Sequence, residues 1–140
     1  MRKICVITGT RAEYGLLSRL MRLIKQSHQT ELQVIATNMH LSPRYGETYR
    51  EIEKDGFTID YKVPILGETN NQLDAMSRAL VGIGSVLDKL NPDIVVLLGD
   101  RYEIMAAAIV CLMKRIPIAH LHGGEITEGA YDDSPLKVRI

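Results

Sequence analysis

A chain of 140 residues, 46% of them apolar and 24% charged, has the make-up of a soluble globular domain that buries roughly two thirds of its unfolded surface. Its 17 basic residues are matched by 17 acidic ones, which excludes a strongly charged chain built for nucleic acid or an anionic membrane, and no apolar run is long enough to span a bilayer. Met1-Arg2-Lys3 leads straight into a strand-like stretch rather than a cleavable leader, and Cys5 and Cys111 lie in apolar segments without metal or redox spacing, so buried, reduced thiols in a cytoplasmic protein are expected.

Ile4-Cys5-Val6-Ile7 reads as a strand closed by Thr8-Gly9-Thr10, after which Leu16, Leu17, Leu20, Leu23 and Ile24 recur at helical spacing. Leu32 to Thr37 is a second strand, Asn38 to Pro43 a loop, and Tyr45 to Lys54 a short helix stopped by Asp55-Gly56. Phe57 to Val63 alternates as a third strand. Beyond the Pro64-to-Asn70 loop, Asn71 to Leu90 is a helix with Leu73, Met76, Leu80, Ile83 and Leu87 on one face, ended by Asn91-Pro92. Asp93 to Leu98 is the fourth strand, Tyr102 to Lys114 an alanine-rich helix, and Pro117 to Leu121 the fifth strand. Strands alternating with helices, joined by right-handed crossovers, predict an α/β fold: a Rossmann-like parallel sheet with helices on both faces. Strands one and four should be neighbours across the switch point, with strand five beside four.

Glycine patterns argue against two common ligands. Gly82-x-Gly84 lies inside a helical segment, where close helix packing explains it, and the Gly9-to-Gly15 loop lacks both the dinucleotide spacing and the lysine of a P-loop. No nicotinamide or other cofactor, and no metal, is expected. An aspartyl-phosphate receiver domain is disfavoured because Thr8-Gly9-Thr10-Arg11 stands where an acidic pair would be needed.

Three strand ends carry polar clusters on one edge. Gly9-Thr10-Arg11 follows the first strand, where a helix amino terminus and a guanidinium can hold a phosphate. Asp100, Arg101 and Glu103 follow the fourth. His120, His122, Gly123, Gly124 and Glu125 follow the fifth, and Tyr131-Asp132-Asp133-Ser134 comes after them. Each has a plainer reading: Asp100 as a helix cap, Arg101 and Glu103 as a solvated ion pair, His120 as a core histidine, His122 as structural, and Asp132 with Asp133 as an ordinary turn. An arginine that holds an anion opposite several carboxylates suits proton transfer on a substrate whose leaving group is a phosphate.

The strings Thr8-Gly9-Thr10-Arg11-Ala12-Glu13-Tyr14-Gly15, Met39-His40-Leu41-Ser42, Gly99-Asp100-Arg101-Tyr102-Glu103 and His120-Leu121-His122-Gly123-Gly124-Glu125, with Tyr131-Asp132-Asp133-Ser134, resemble the hydrolysing UDP-N-acetylglucosamine 2-epimerases of sialic acid synthesis. The likeness extends to relatives that act on UDP-diacetylbacillosamine in legionaminic acid synthesis. It implies the first half of a glycosyltransferase-B-like fold, with the active site between two Rossmann-like domains. Residues 1–134 would be the amino-terminal domain and 135–140 a divergent tail, with the second domain absent and little activity expected of this chain alone. The implied reaction is anti elimination of UDP to 2-acetamidoglucal, then hydration to N-acetylmannosamine. By the same likeness Asp100, Glu125 and Asp132 are the acid/base carboxylates, and Gly9, Arg11, His122 and Gly124 bind the substrate. The implied partner is a UDP-sugar, and the full-length relatives suggest a homo-oligomer. A non-catalytic module that binds a phosphorylated ligand is the alternative from another class.

Overall fold

The computed structural model describes residues 1–66 and 71–122. Alternate residues of its inner strands are buried on opposite faces, as the period of two requires. Cys5 and Ile7 of β1 (Arg2–Thr8), Ile35 of β2 (Thr30–Thr37), and Val95 and Leu97 of β4 (Ile94–Leu98) enter one core; Val6, Val34, Ala36, Val96 and Leu98 enter the other. Strands buried on both sides read as continuous apolar runs, which is the composition of a covered parallel sheet.

The first core is roofed by α3 (Gln72–Leu90) and α4 (Tyr102–Lys114), the second by α1 (Arg11–Gln26) and α2 (Tyr49–Lys54). With β3 (Tyr61–Val63) and β5 (Ile118–Leu121), the strands run in the order β3-β2-β1-β4-β5, and every pairing is parallel. The order reverses between β1 and β4, whose register pairs Ile4 with Ile94 and Val6 with Val96. That reversal opens the crevice at the carboxyl ends where such sheets bind ligands.

Three element readings need correction. The short helix begins at Tyr49 rather than Tyr45, because Gly46 turns left-handed at φ 81° after a 3-10 turn over Pro43–Tyr45. The third strand pairs only from Tyr61, opposite Ile35. Phe57, read as its start, is buried against α1, with the Arg22 guanidinium 4.5 Å above its ring. On α3 the stripe facing the sheet is Ala75, Ala79, Ile83, Val86 and Leu87, whereas Leu73 is 81% exposed; at 3.6 residues per turn Leu73 lies about 80° away from Ile83. The glycine reading holds: a Cβ on Gly82 would sit 2.6 Å from Val63 Cγ1, so the glycine lets α3 approach β3 closely. Cys5 and Cys111 are buried free thiols, both with pKa values raised by burial. The proposed division between residues 134 and 135 lies outside the described residues.

Candidate active site at the carboxyl edge of the sheet

The turn after β1 is set by its own side chains. Thr10 is the N-cap of α1, its hydroxyl accepting from the Glu13 amide at 3.2 Å, and Glu13 reaches back so that Oε1 accepts from Gly9 N at 3.1 Å and from the Thr10 hydroxyl at 3.3 Å. The pattern is a variant of the capping box in which the returning carboxyl takes the amide before the cap, and Thr-x-x-Glu is its legible signal. Arg11, the first residue of α1, is 72% exposed and gives Nε to Glu51 of α2 at 3.0 Å. It stands at the positive end of a helix, where an incoming anion would meet backbone dipole and guanidinium together.

The turn after β4 lies beside it. Gly99 has φ 87°, and its amide donates to Leu121 O at 3.0 Å while its carbonyl accepts from His120 Nε2 of β5 at 2.6 Å. That bond is donated by Nε2–H and leaves Nδ1 buried with no hydrogen-bond partner among the described residues. Asp100 is half-buried. The N-cap of α4 is Arg101, one residue further on, so the capping position read for Asp100 is occupied by its neighbour. The solvated ion pair is also corrected: Arg101 Nε meets Glu103 Oε1 at 3.1 Å, but Glu103 is completely buried and packs against Gly9.

Burial and the nearby Glu103 charge raise the pKa of Glu13 to about 8, against the lowering effects of the Gly9 amide, Arg101 and Thr10. Glu13 Oε2 and Glu103 Oε2 are both buried without hydrogen-bond partners among the described residues. Behind them sits His40, fully buried, its Nε2 2.9 Å from Thr8 Oγ1 and its Nδ1 2.9 Å from Thr48 Oγ1. The Thr8 hydroxyl donates to Thr10 O, so it accepts from an Nε2–H, and Nδ1 accepts from Thr48. Desolvation lowers the His40 pKa to about 4, keeping it a neutral tie between the β1 turn and the start of α2.

Toward β3 the edge opens into a cleft of about 240 Å³ lined by Asn38, Leu41, Ser42, Pro43, Pro64, Ile65 and Leu66. Asn38 holds φ 56° and accepts from the Tyr102 hydroxyl at 3.1 Å, which ties the cleft to the residue after Arg101. Nothing in the local sequence marked this cleft, Glu13 or Glu103 as a connected group.

Of the residues expected at the site, Gly9, Arg11 and Asp100 therefore come together at the ends of adjacent strands. His122 is exposed just past β5, at φ 56°. Gly124, Glu125 and Asp132, with Gly123, Asp133 and Ser134, lie outside the described residues. No cluster of three or more metal-ligating side chains occurs among the described residues, and none of their helices is long and apolar enough to cross a membrane.

The sequence and the fold have counterparts among known proteins. The chain is 48% identical over 136 residues to the GDP/UDP-N,N'-diacetylbacillosamine 2-epimerase (hydrolyzing) of Campylobacter jejuni, covering 95% of this chain and 35% of the relative. It is 35% identical to the UDP-N-acetylglucosamine 2-epimerase of Neisseria meningitidis, covering 96% of this chain and 35% of that one. The chain thus spans about a third of the length of these relatives. The fold superposes with TM-score 0.80 and 27% identity on the Methanocaldococcus jannaschii UDP-GlcNAc 2-epimerase solved with UDP-GlcNAc and UDP, over 96% of this chain and 36% of that one. Residues 22–135 match the family model for UDP-N-acetylglucosamine 2-epimerase, and the chain belongs to that family.

Proposed function

We propose that this chain forms the amino-terminal wall of the active site in a hydrolysing nucleotide-sugar 2-epimerase. The observation that carries the reading is the juxtaposition of Arg11, at the start of α1, with Asp100, just beyond β4, across the switch point of the sheet. Arg11 takes the diphosphate, with Gly9, His122 and Gly124 lining the substrate beside it. Its pair with Glu51 is exposed, and such pairs contribute only about 0–1 kcal/mol, so exchanging that partner for a diphosphate costs little.

The reaction needs carboxylates. Departure of UDP builds positive charge at C1, which a nearby carboxylate stabilises, and one of Asp100, Glu125 and Asp132 removes the C2 proton in the same anti elimination. Water then adds across the resulting glycal double bond: a carboxylic acid delivers a proton to C2 on the opposite face, the water oxygen bonds to C1 and its proton passes to a carboxylate, so substrate and water leave as UDP and the 2-epimeric free sugar. A placed base of this kind contributes on the order of 10²- to 10⁴-fold in rate. The greater identity to the Campylobacter enzyme than to the Neisseria one favours a sugar with two acetamido groups. The chain spans about a third of the relatives' length, and the reaction is proposed for the whole enzyme.

The test is a hybrid in which residues 1–140 replace the matching part of the Campylobacter relative, incubated in heavy water with UDP-diacetylbacillosamine and with UDP-N-acetylglucosamine. UDP release with deuterium at C2 is expected, faster with the diacetylated sugar. Tight UDP-sugar binding with no UDP release overturns the enzymatic reading in favour of a binding module. Faster turnover of the N-acetylglucosamine substrate overturns the sugar assignment alone.

A further inference from the structure

His120 belongs to β5 yet acts on the turn beyond β4. The register of the two strands sets His120 opposite Leu97 and Leu121 opposite Leu98, where β4 ends. Gly99 then takes φ 87° and turns out of the extended conformation, but β5 still binds both its polar groups. Its amide donates to Leu121 O at 3.0 Å, and its carbonyl accepts from His120 Nε2 at 2.6 Å. From α1, Glu13 closes in as well, its Oε2 3.7 Å from where a Cβ on Gly99 would stand.

The Gly99 carbonyl and the Asp100 amide are parts of one planar trans unit that also contains the Asp100 Cα. A ring that holds the carbonyl therefore fixes that whole plane. It sends the Asp100 N–H away from His120 and sets the point from which the Asp100 side chain starts. Without the bond the plane could swing about the dihedrals that flank it, and a glycine at φ 87° resists that swing less than any other residue.

The ring itself is not presented to a ligand. Nε2 is engaged by Gly99, and Nδ1 is buried without a hydrogen-bond partner among the described residues. A buried ring nitrogen of that kind costs the fold stability that a leucine would not forfeit. What the histidine adds over an apolar side chain is the bond from Nε2–H to Gly99.

We propose that His120 is a positioning residue for the proton chemistry at the sugar: through the Gly99 carbonyl it holds the Gly99–Asp100 peptide, and with it Asp100, in place at the crevice. The role rests on the epimerase reading and deepens it. It also divides the work of two nearby histidines, since His120 acts through the backbone while His122, exposed just past β5, is left to meet the substrate. Displacing a reacting group by about 1 Å costs on the order of 10²-fold in rate. The loss should fall on kcat, because Arg11 and its contact to the diphosphate are untouched.

Two readouts test the role. In residues 1–140 labelled with 15N, the ring shifts of His120 should show a proton on Nε2. His120→Leu should shift and broaden the Gly99 and Asp100 amide signals while that of Val6, in the middle of β1, stays in place, and His120→Gln, whose amide nitrogen reaches as far as Nε2, should restore them. In the hybrid enzyme, His120→Leu should lower kcat about tenfold or more with KM for the UDP-sugar within about twofold, and His120→Gln should recover kcat to within about threefold of wild type. His120→Asn, one methylene shorter than glutamine, should behave as His120→Leu does and takes its place if the leucine variant unfolds. A ring with no proton on Nε2, full kcat in His120→Leu or His120→Asn, or an equal loss of kcat in all three variants overturns the positioning role and leaves the epimerase reading standing. A wild-type hybrid that releases no UDP brings down the epimerase reading and this role with it.

Discussion

Glu103 occupies the space that a side chain on Gly9 would need: its Oε1, Cγ and Cδ would lie 2.6, 2.9 and 3.1 Å from a Cβ placed there. The glycine after β1 is therefore required by a buried carboxylate on α4, reaching from the neighbouring strand-helix unit. Gly9→Ala should lower stability by about 1–3 kcal/mol, the usual range for inserting a methyl into a filled interior. Gly15→Ala is the control. It lies within α1 with nothing within 4 Å of its Cβ position, and should raise stability by about 0.5–1 kcal/mol. Urea unfolding of both variants decides the matter; equal effects would mean that Glu103 moves aside freely.

Two buried groups give stability opposite dependences on pH. Glu13, raised to about 8 in the fold from its ordinary value of 4.5, keeps a proton that the unfolded chain has released, so its contribution is complete below pH 4.5 and lost as pH rises to 8. His40, lowered to about 4 from 6.5, contributes fully above pH 6.5 and loses its contribution as pH falls to 4. Each slope approaches about 1.4 kcal/mol per pH unit. Where the windows overlap, between the two ordinary values 4.5 and 6.5, the slopes cancel, so stability should be level there and fall from 6.5 to 8. Glu13→Gln should abolish that fall and leave stability rising from 4 to 6.5. Denaturation midpoints across this pH range test it: a wild-type maximum at pH 8 would contradict the Glu13 assignment, and a Glu13→Gln variant whose stability does not rise from 4 to 6.5 would contradict that of His40.

Period-two burial, β-α alternation and the glycine turns made the strand order and switch point legible, because each depends on local pattern and chirality. The termini of β3 and α2 were less so: they depend on how far β2 offers a partner and on a left-handed Gly46. The site divided in the same way. Arg11 and Asp100 stand out as charges following apolar strands, whereas Glu103 reads as half of a solvated ion pair and Glu13 only as one letter of the Thr8-to-Gly15 string. Only the tertiary approach of α1 and α4 around Gly9 buries them.

Within α3, two glycines separated by Ile83 should respond with opposite sign. A Cβ on Gly82 would lie 2.6 Å from Val63 Cγ1, a stiff β-branched side chain in the short β3. One on Gly84 would make ordinary contacts of 3.8 Å with Val110 and Lys114 of α4. Gly82→Ala should destabilise by about 1–3 kcal/mol, and Gly84→Ala should stabilise by up to about 1 kcal/mol through helix propensity. Thermal unfolding of the pair checks this, and stabilisation by both would show that α3 is not pressed against β3.

Arg11 and Asp100 separate binding from chemistry. Because the Arg11–Glu51 pair is exposed, with side chains 72% and 44% accessible, Arg11→Ala should change stability by less than about 1 kcal/mol. In the hybrid enzyme it should instead raise KM for the UDP-sugar, since what it removes is a contact to the diphosphate. Asp100→Asn preserves shape and removes a charge or a proton acceptor at the edge of the crevice. It should lower kcat on the order of 10²- to 10⁴-fold with the unfolding midpoint little changed. Steady-state kinetics, with deuterium incorporation at C2 as a second readout, distinguish the two: Asp100→Asn at wild-type turnover removes Asp100 from the proton chemistry. Arg11→Ala with unchanged KM but a large loss of stability would make Arg11 a scaffold residue, leaving the helix amino terminus alone to meet the diphosphate.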